Sequence, residues 1–160
     1  MTIKDDAYFM RLALKEAKKA YEKDDVPIGA VVVKDGAVIA RAHNEKEYKG
    51  SAVRHAEILA MDRASKKIGN WWLEGCVLYV TLEPCAMCAG AAVNVRLEKV
   101  VYGAKNERFG FMGSVADLSR DYALNHKVEA VGGVLGDECS ALLTAFFREK
   151  RAESAKIKKI

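Results

Sequence analysis

One histidine, one glutamate and two cysteines offer the chemistry in this sequence. They fall in two short stretches, His55-Ala56-Glu57 and Pro84-Cys85-Ala86-Met87-Cys88. A neutral imidazole and two thiolates suit Zn²⁺, and a tetrahedral zinc with three protein ligands keeps its fourth position for water. Cys85 and Cys88 stand three apart, so a helix presents them on one face. At a helix N-terminus the partial positive charge favours the thiolate form that a metal needs. Two other uses of the pair stay open: a redox Cys-X-X-Cys and a structural zinc. Against the first, Ala86-Met87 adds no redox feature and a His-X-Glu lies upstream. Against the second, a structural site wants a further Cys or His, and Cys76, Cys139, His43 and His126 are not at ligand spacing.

Glu57 is placed to move protons. Zinc lowers the pKa of its water toward ~7. Two thiolates and a neutral histidine leave such a zinc formally uncharged, so the acidification is weaker and a general base matters. Glu57 takes the water proton, passes it to the ring nitrogen beside the attacked carbon, and then protonates the departing amine. The plainer alternative is an exposed helix residue. On a helix, two residues span about 200°. His55 and Glu57 therefore reach one centre only if it lies off the helix end, between two helix N-termini.

The elements that position these groups follow from periodicity. Residues 5–23 repeat apolar side chains (Phe9, Met10, Ala13, Leu14, Ala17) at helical spacing, with Asp5 or Asp6 as cap. Pro27 ends that pattern. The run 28–33 and its return 38–43 read as strands joined by Asp35-Gly36, a hairpin signal, and both look buried on two faces. A polar stretch covers 44–53. A helix is expected over 54–68 with Gly69 closing it, then a strand over 76–81 and a helix opened by Pro84 and running to Asn94. Further strands are expected at 99–103 and 128–131, a short helix at 115–119, and a last helix from about Asp137. Strands alternating with helices argue for an α/β layered domain with helices on both sheet faces. The first two strands must be antiparallel, and the helix-linked ones can run parallel.

At 160 residues this is most simply one domain, and 51% apolar with 30% charged residues lets it bury a core and stay soluble. The start, Met1-Thr2-Ile3-Lys4-Asp5-Asp6, lacks the apolar core of a signal peptide. The longest near-apolar run, 85–95, is far short of the ~20 residues that span a bilayer. A cytoplasmic protein without a membrane partner is the expectation, with cysteines in metal or core roles rather than disulfides. Cys76 and Cys139 read as core. From Arg148 onward there are six basic and two acidic residues, which hold the entire net charge of +4. Such an end is either a handle for a polyanion or a solvated helix end with a tail.

Taken together, His55-Ala56-Glu57 and Thr81-Leu82-Glu83-Pro84-Cys85-Ala86-Met87-Cys88-Ala89-Gly90-Ala91 resemble the cytidine-deaminase-like superfamily. More narrowly, the chain is similar to the bacterial tRNA adenosine deaminases, the TadA family. Val26-Pro27-Ile28-Gly29-Ala30-Val31, Val101-Tyr102-Gly103-Ala104, Asn125-His126-Lys127-Val128-Glu129 and Phe146-Phe147-Arg148 support this narrower likeness. The resemblance implies a three-layer αβα fold around a mixed five-stranded sheet, with one Zn²⁺ per subunit held by His55, Cys85 and Cys88. It implies a homodimer acting on a tRNA anticodon stem-loop, turning the wobble adenosine to inosine with that base splayed out of the loop. Residues 1–151 would form the zinc-dependent deaminase domain, and 152–160 a basic tail that continues the last helix or is disordered. Asn44 would hydrogen-bond the nucleoside, though by itself it reads equally as a turn residue. Arg148, Lys150 and Arg151 would touch phosphates. The loop 104–114 would line the substrate groove with Asn106 near the flanking nucleotide, where relatives often carry Asp. Arg54, before the zinc histidine, meets phosphate or is simply solvated. His126 reads as structural, in a loop that positions the fifth strand. Two competing functions share the metal motif: a deaminase of a free base or nucleoside (guanine or cytosine type), and a zinc-stabilised RNA-binding module without chemistry, which an intact Glu57 argues against.

Overall fold

A computed structural model describes residues 4–121 and 123–159. The chain runs α1 (Asp6–Glu22), β1 (Gly29–Lys34), β2 (Ala37–His43), α2 (Ala56–Ile68), β3 (Cys76–Leu82), α3 (Ala86–Asn94), β4 (Lys99–Ala104), β5 (Glu129–Val131) and α4 (Gly136–Lys158). The strands form one mixed sheet in the order β2-β1-β3-β4-β5. β1 pairs antiparallel with both β2 and β3, whereas β3–β4 and β4–β5 are parallel. The hairpin turn is built as its sequence demands, with Asp35 at φ 50° and Gly36 at φ 76°.

Side chains alternate between the two sheet faces with the period of a strand. Ala30, Val32, Leu78, Val80, Val100 and Tyr102 face one core, which α2 and α3 cover. Val31, Val33, Tyr79, Val101 and Ala104 face the other, packed against Phe9, Met10, Ala13 and Leu14 of α1 and Cys139 of α4. This is the three-layer arrangement expected from the sequence. Cys76 and Cys139 are buried in these cores, as expected. Among the described residues no helix is long and apolar enough to cross a membrane.

Two expectations fail. β2 is not buried on both faces: it is an edge strand in which Ala40 and Ala42 pack inward while Ala37 and Arg41 are exposed. A register shift opposite Val32/Val33 leaves Ile39 without a partner residue. The helix expected at 115–119 is absent, and the segment turns back through an isolated Met112–Asp117 bridge. Asp117 explains it, because its carboxylate accepts from the backbone N–H of Ser119 at 3.0 Å and from the Ser119 hydroxyl. That local bonding competes with helix formation. His126 has the structural role expected of it: its Nε2–H donates to the Leu97 carbonyl at 2.8 Å, beside the start of β5.

Gly29 marks the tightest crossing of α1 on the sheet. A Cβ there would stand 2.0 Å from the Ala13 carbonyl oxygen and 2.4 Å from the Ala17 nitrogen, both helix backbone that cannot rotate away. Gly29→Ala is expected to cost at least about 2 kcal/mol, read as a lower urea midpoint at unchanged slope. An unchanged midpoint would contradict so close an approach.

Candidate active site

The metal-ligand candidates converge because two helices begin at the same place. His55 is the N-cap of α2 and Cys85 the N-cap of α3, both with extended backbone. The helix that Pro84 opens therefore begins in full at Ala86, and α2 begins at Ala56, two residues past the expected Arg54. An N-cap side chain ordinarily accepts a bond from the first free N–H groups. Neither His55 nor Cys85 does so. Asn44, at the end of β2, substitutes for His55: its Oδ1 accepts from the Ala56 N–H at 2.9 Å, and the residue is buried. The imidazole is thus free to face the thiols. Being outside the helix proper, it also escapes the angular conflict with Glu57 in the first turn.

His55 Nδ1 lies 3.7 Å from Cys85 Sγ and 3.6 Å from Cys88 Sγ. Among the described residues this trio is the one group whose ligand atoms all lie within 4.8 Å of one another. Bonds of about 2.3 Å to sulfur and 2.05 Å to nitrogen at a tetrahedral angle separate the two atoms by about 3.6 Å. The donor set and its spacing fit zinc. His43, Cys76, Cys139 and His126 lie elsewhere, which removes the fourth protein ligand that a structural site would want.

The electrostatics describe two sulfurs competing for one proton. Cys85 is lowered to about 3, first because the Cys88 thiol donates to it and then because His55 does, against the opposing effect of burial. Cys88 is correspondingly pushed up by that shared proton and by its own burial. A divalent cation is what allows both to ionise. The thiolate beside it raises His55. Glu57 is buried, and burial pushes its carboxyl upward; Oε2 lies 3.1 Å from Cys88 Sγ. A buried carboxyl held above its ordinary range at the edge of a metal-ligand trio has the properties of a proton shuttle.

Arg54 keeps part of its side chain in solvent but is not a free cation. Its guanidinium clamps Glu45, with Nε at 3.0 Å and a second, closer bond from Nη2. Burial opposes the charge of Glu45, but Arg54 holds its carboxyl below the usual range. This pair folds the polar 44–53 stretch against α2. A buried glutamate among Asn, Lys and Glu neighbours carries no local signature, so the sequence did not reveal it.

A groove of about 1220 Å³ runs between the segment 104–109 and α4. Lys105, Asn106, Arg108, Phe109, Phe147 and Arg151 line it, while His55, Glu57 and Cys85 do not; it reaches the metal-ligand segment through Leu82. Phe109 is 65% exposed, an unusual position for a phenylalanine. Asn106 lies in the groove, but its Oδ1 accepts from the Phe109 N–H at 3.2 Å, which shapes the turn. Arg148 is exposed on α4. Lys150 pairs with Asp24 at the end of α1 and with Glu153 at 3.3 Å. From Arg151 to Lys159 every residue is exposed, so the basic end stands off the body.

The family model for MafB19-like deaminases matches residues 4–151. The tRNA-specific adenosine deaminase of Bacillus subtilis (strain 168) is 51% identical over 154 residues, 96% of each chain. That of Aquifex aeolicus (strain VF5) is 44% identical over 144 residues, 90% of this chain and 95% of the relative. A solved structure from work on A-to-I editing by tRNA:A34 deaminases at the wobble position of transfer RNA superposes with a TM-score of 0.82. It is 40% identical and covers 85% of this chain and 99% of its own. A guanine deaminase from Bacillus subtilis superposes less fully, with a TM-score of 0.58 at 37% identity over 61% of this chain and 62% of its own.

Proposed function

The chain belongs to the MafB19-like deaminase family, and from that membership we propose that it hydrolyses adenosine to inosine at the wobble position of tRNA anticodons. The observation that carries this reading is the convergence of His55, Cys85 and Cys88 beside a buried Glu57. The substrate is inferred from the tRNA-specific deaminases that are 51% and 44% identical over nearly their full length.

His55 Nδ1 and the two cysteine sulfurs would hold one zinc per subunit. Bound there, zinc supplies Lewis acidity that makes water a nucleophile near neutral pH. Glu57 accepts the proton that water gives up and delivers it to N1 of the purine. It then moves a proton to the amine nitrogen as the C6–N bond breaks, so adenosine and water leave as inosine and ammonia. Burial of Glu57 raises its carboxyl above the ordinary range, which suits a group that takes up a proton and returns it. Asn44 has its Oδ1 engaged on α2, which leaves its amide N–H₂ to meet the nucleoside. In this reading Asn106 lies beside the flanking nucleotide.

A polynucleotide suits the groove better than a free base. Its volume exceeds the roughly 300–1,000 Å³ of ordinary small-molecule pockets, and its lining carries three cations, Lys105, Arg108 and Arg151, beside three carboxylates, Glu107, Asp137 and Glu138. Arg148, exposed on α4, would meet phosphate, and Lys150 would do so on leaving Asp24 and Glu153. Two copies of the chain, acting in the cytoplasm, complete the reading.

Ammonia release tests the substrate. An anticodon stem-loop with wobble adenosine should release it. The same stem-loop with guanosine there, free guanine and free cytosine should not. Release from free guanine or cytosine, with none from the adenosine stem-loop, would replace this reading by the free-base alternative.

A further inference from the structure

Glu83 is a buried carboxylate that the reaction above does not use. It is 1% exposed and stands two residues before Cys85. Among the described residues no cation pairs with it. Its charge is met instead by one loop: Oε1 accepts from the Asn106 N–H at 3.3 Å and the Ser114 hydroxyl at 2.5 Å, and Oε2 accepts from the N–H groups of Met112 and Ser114, each at 3.1 Å. Gly110 completes the seat, because a Cβ there would lie 2.3 Å from Glu83 Oε2. The backbone repeats the connection, with Phe111 N–H donating to the Pro84 carbonyl at 2.9 Å and Glu83 N–H to the Ala104 carbonyl at 2.9 Å.

The geometry points to Glu83 as a positioning residue: we propose that its carboxylate fixes the groove-lining loop in register with the metal ligand Cys85. Charge-assisted bonds from several N–H donors are strong and directional, and a buried carboxylate left without them is costly. The loop so held carries Asn106 and the exposed Phe109 into the groove. One rigid segment, residues 82–85, therefore links the wall that receives substrate to the centre that reacts with it. Only the nature of that substrate rests on the proposed function.

The test needs no substrate for its first arm. Glu83→Gln keeps the size of the side chain but presents an N–H₂ to donors. In the zinc-loaded protein, hydrogen exchange at the amides of Asn106, Met112 and Ser114 should speed up by at least about tenfold, with Leu78 and Val80 unchanged. Ser114→Ala, an exposed site that leaves the fold intact, should loosen the same amides by a smaller factor and add nothing in the Glu83→Gln background. In the second arm, KM for the stem-loop should rise about tenfold while kcat changes by less than about threefold, with zinc content unchanged. Unchanged exchange in the loop, or faster exchange spread equally over the sheet, overturns the proposal, as does a fall in kcat at constant KM. A wild-type chain inactive on the stem-loop would refute the proposed function and leave the exchange arm to decide the role of Glu83.

Discussion

Glu57→Gln is expected to slow deamination by at least about 10³-fold while the protein keeps its zinc. The substitution preserves shape and removes only the capacity to take up and return a proton. Glu57 lies outside the His55–Cys85–Cys88 trio, so metal content should not change. Its side chain is buried and its carboxyl is raised by that burial, so a neutral glutamine should leave the melting temperature no lower. Single-turnover ammonia release, metal analysis and a thermal melt on one preparation check all three. A rate within about tenfold of wild type would assign the proton transfers to another group.

Cys88→Ser is expected to have the second large effect, this time on the metal. Changing a residue that merely orients a ligand typically costs 10–100-fold in metal affinity, so loss of the ligand itself should exceed about 10²-fold. Because a bound metal stabilises the folded state by mass action, the wild-type melting temperature should climb with free zinc, and that of Cys88→Ser should not. Cys88 is fully buried and sits one turn into α3, so the comparison with zinc withheld separates loss of packing from loss of metal. A variant that melts at the same temperature as wild type in saturating zinc, with full activity, would contradict the assignment of Cys88.

Both effects concern residues that spacing alone singles out and that the fold brings together. A Cys-X-X-Cys behind a proline and a His-X-Glu upstream specify ligand types regardless of the fold around them. The strands and the helices on both sheet faces are legible too, because the apolar runs of β1, β3 and β4 and the stripe on α1 are local patterns, whereas the strand order is not. What escaped depends on side chains that act across the fold. Asn44 looked like the end of a strand, yet its Oδ1 caps α2 twelve residues on. Arg54 looked like a free cation, yet Glu45 clamps it. Glu83 bonds to a loop some twenty to thirty residues on, and the one local sign of this is a carboxylate between an apolar strand and Pro-Cys. No helix forms at 115–119 because Asp117 bonds to Ser119 locally. The edge position of β2 cannot be read from its Ala and Val content.

The same distinction separates reaction from substrate. The trio and Glu57, in the roles proposed for them, account for hydrolytic deamination and leave the substrate open. The choice of tRNA rests on the groove of 104–109 and α4, on the basic end, and on relatives matched along almost the whole chain. The most direct measurement is therefore made on intact tRNA bearing adenosine at the wobble position, incubated with the zinc-loaded chain and read nucleotide by nucleotide. Inosine at that position, with every other adenosine unchanged, is the predicted result. Adenosine persisting there, while the same preparation releases ammonia from free guanine or cytosine, would contradict it.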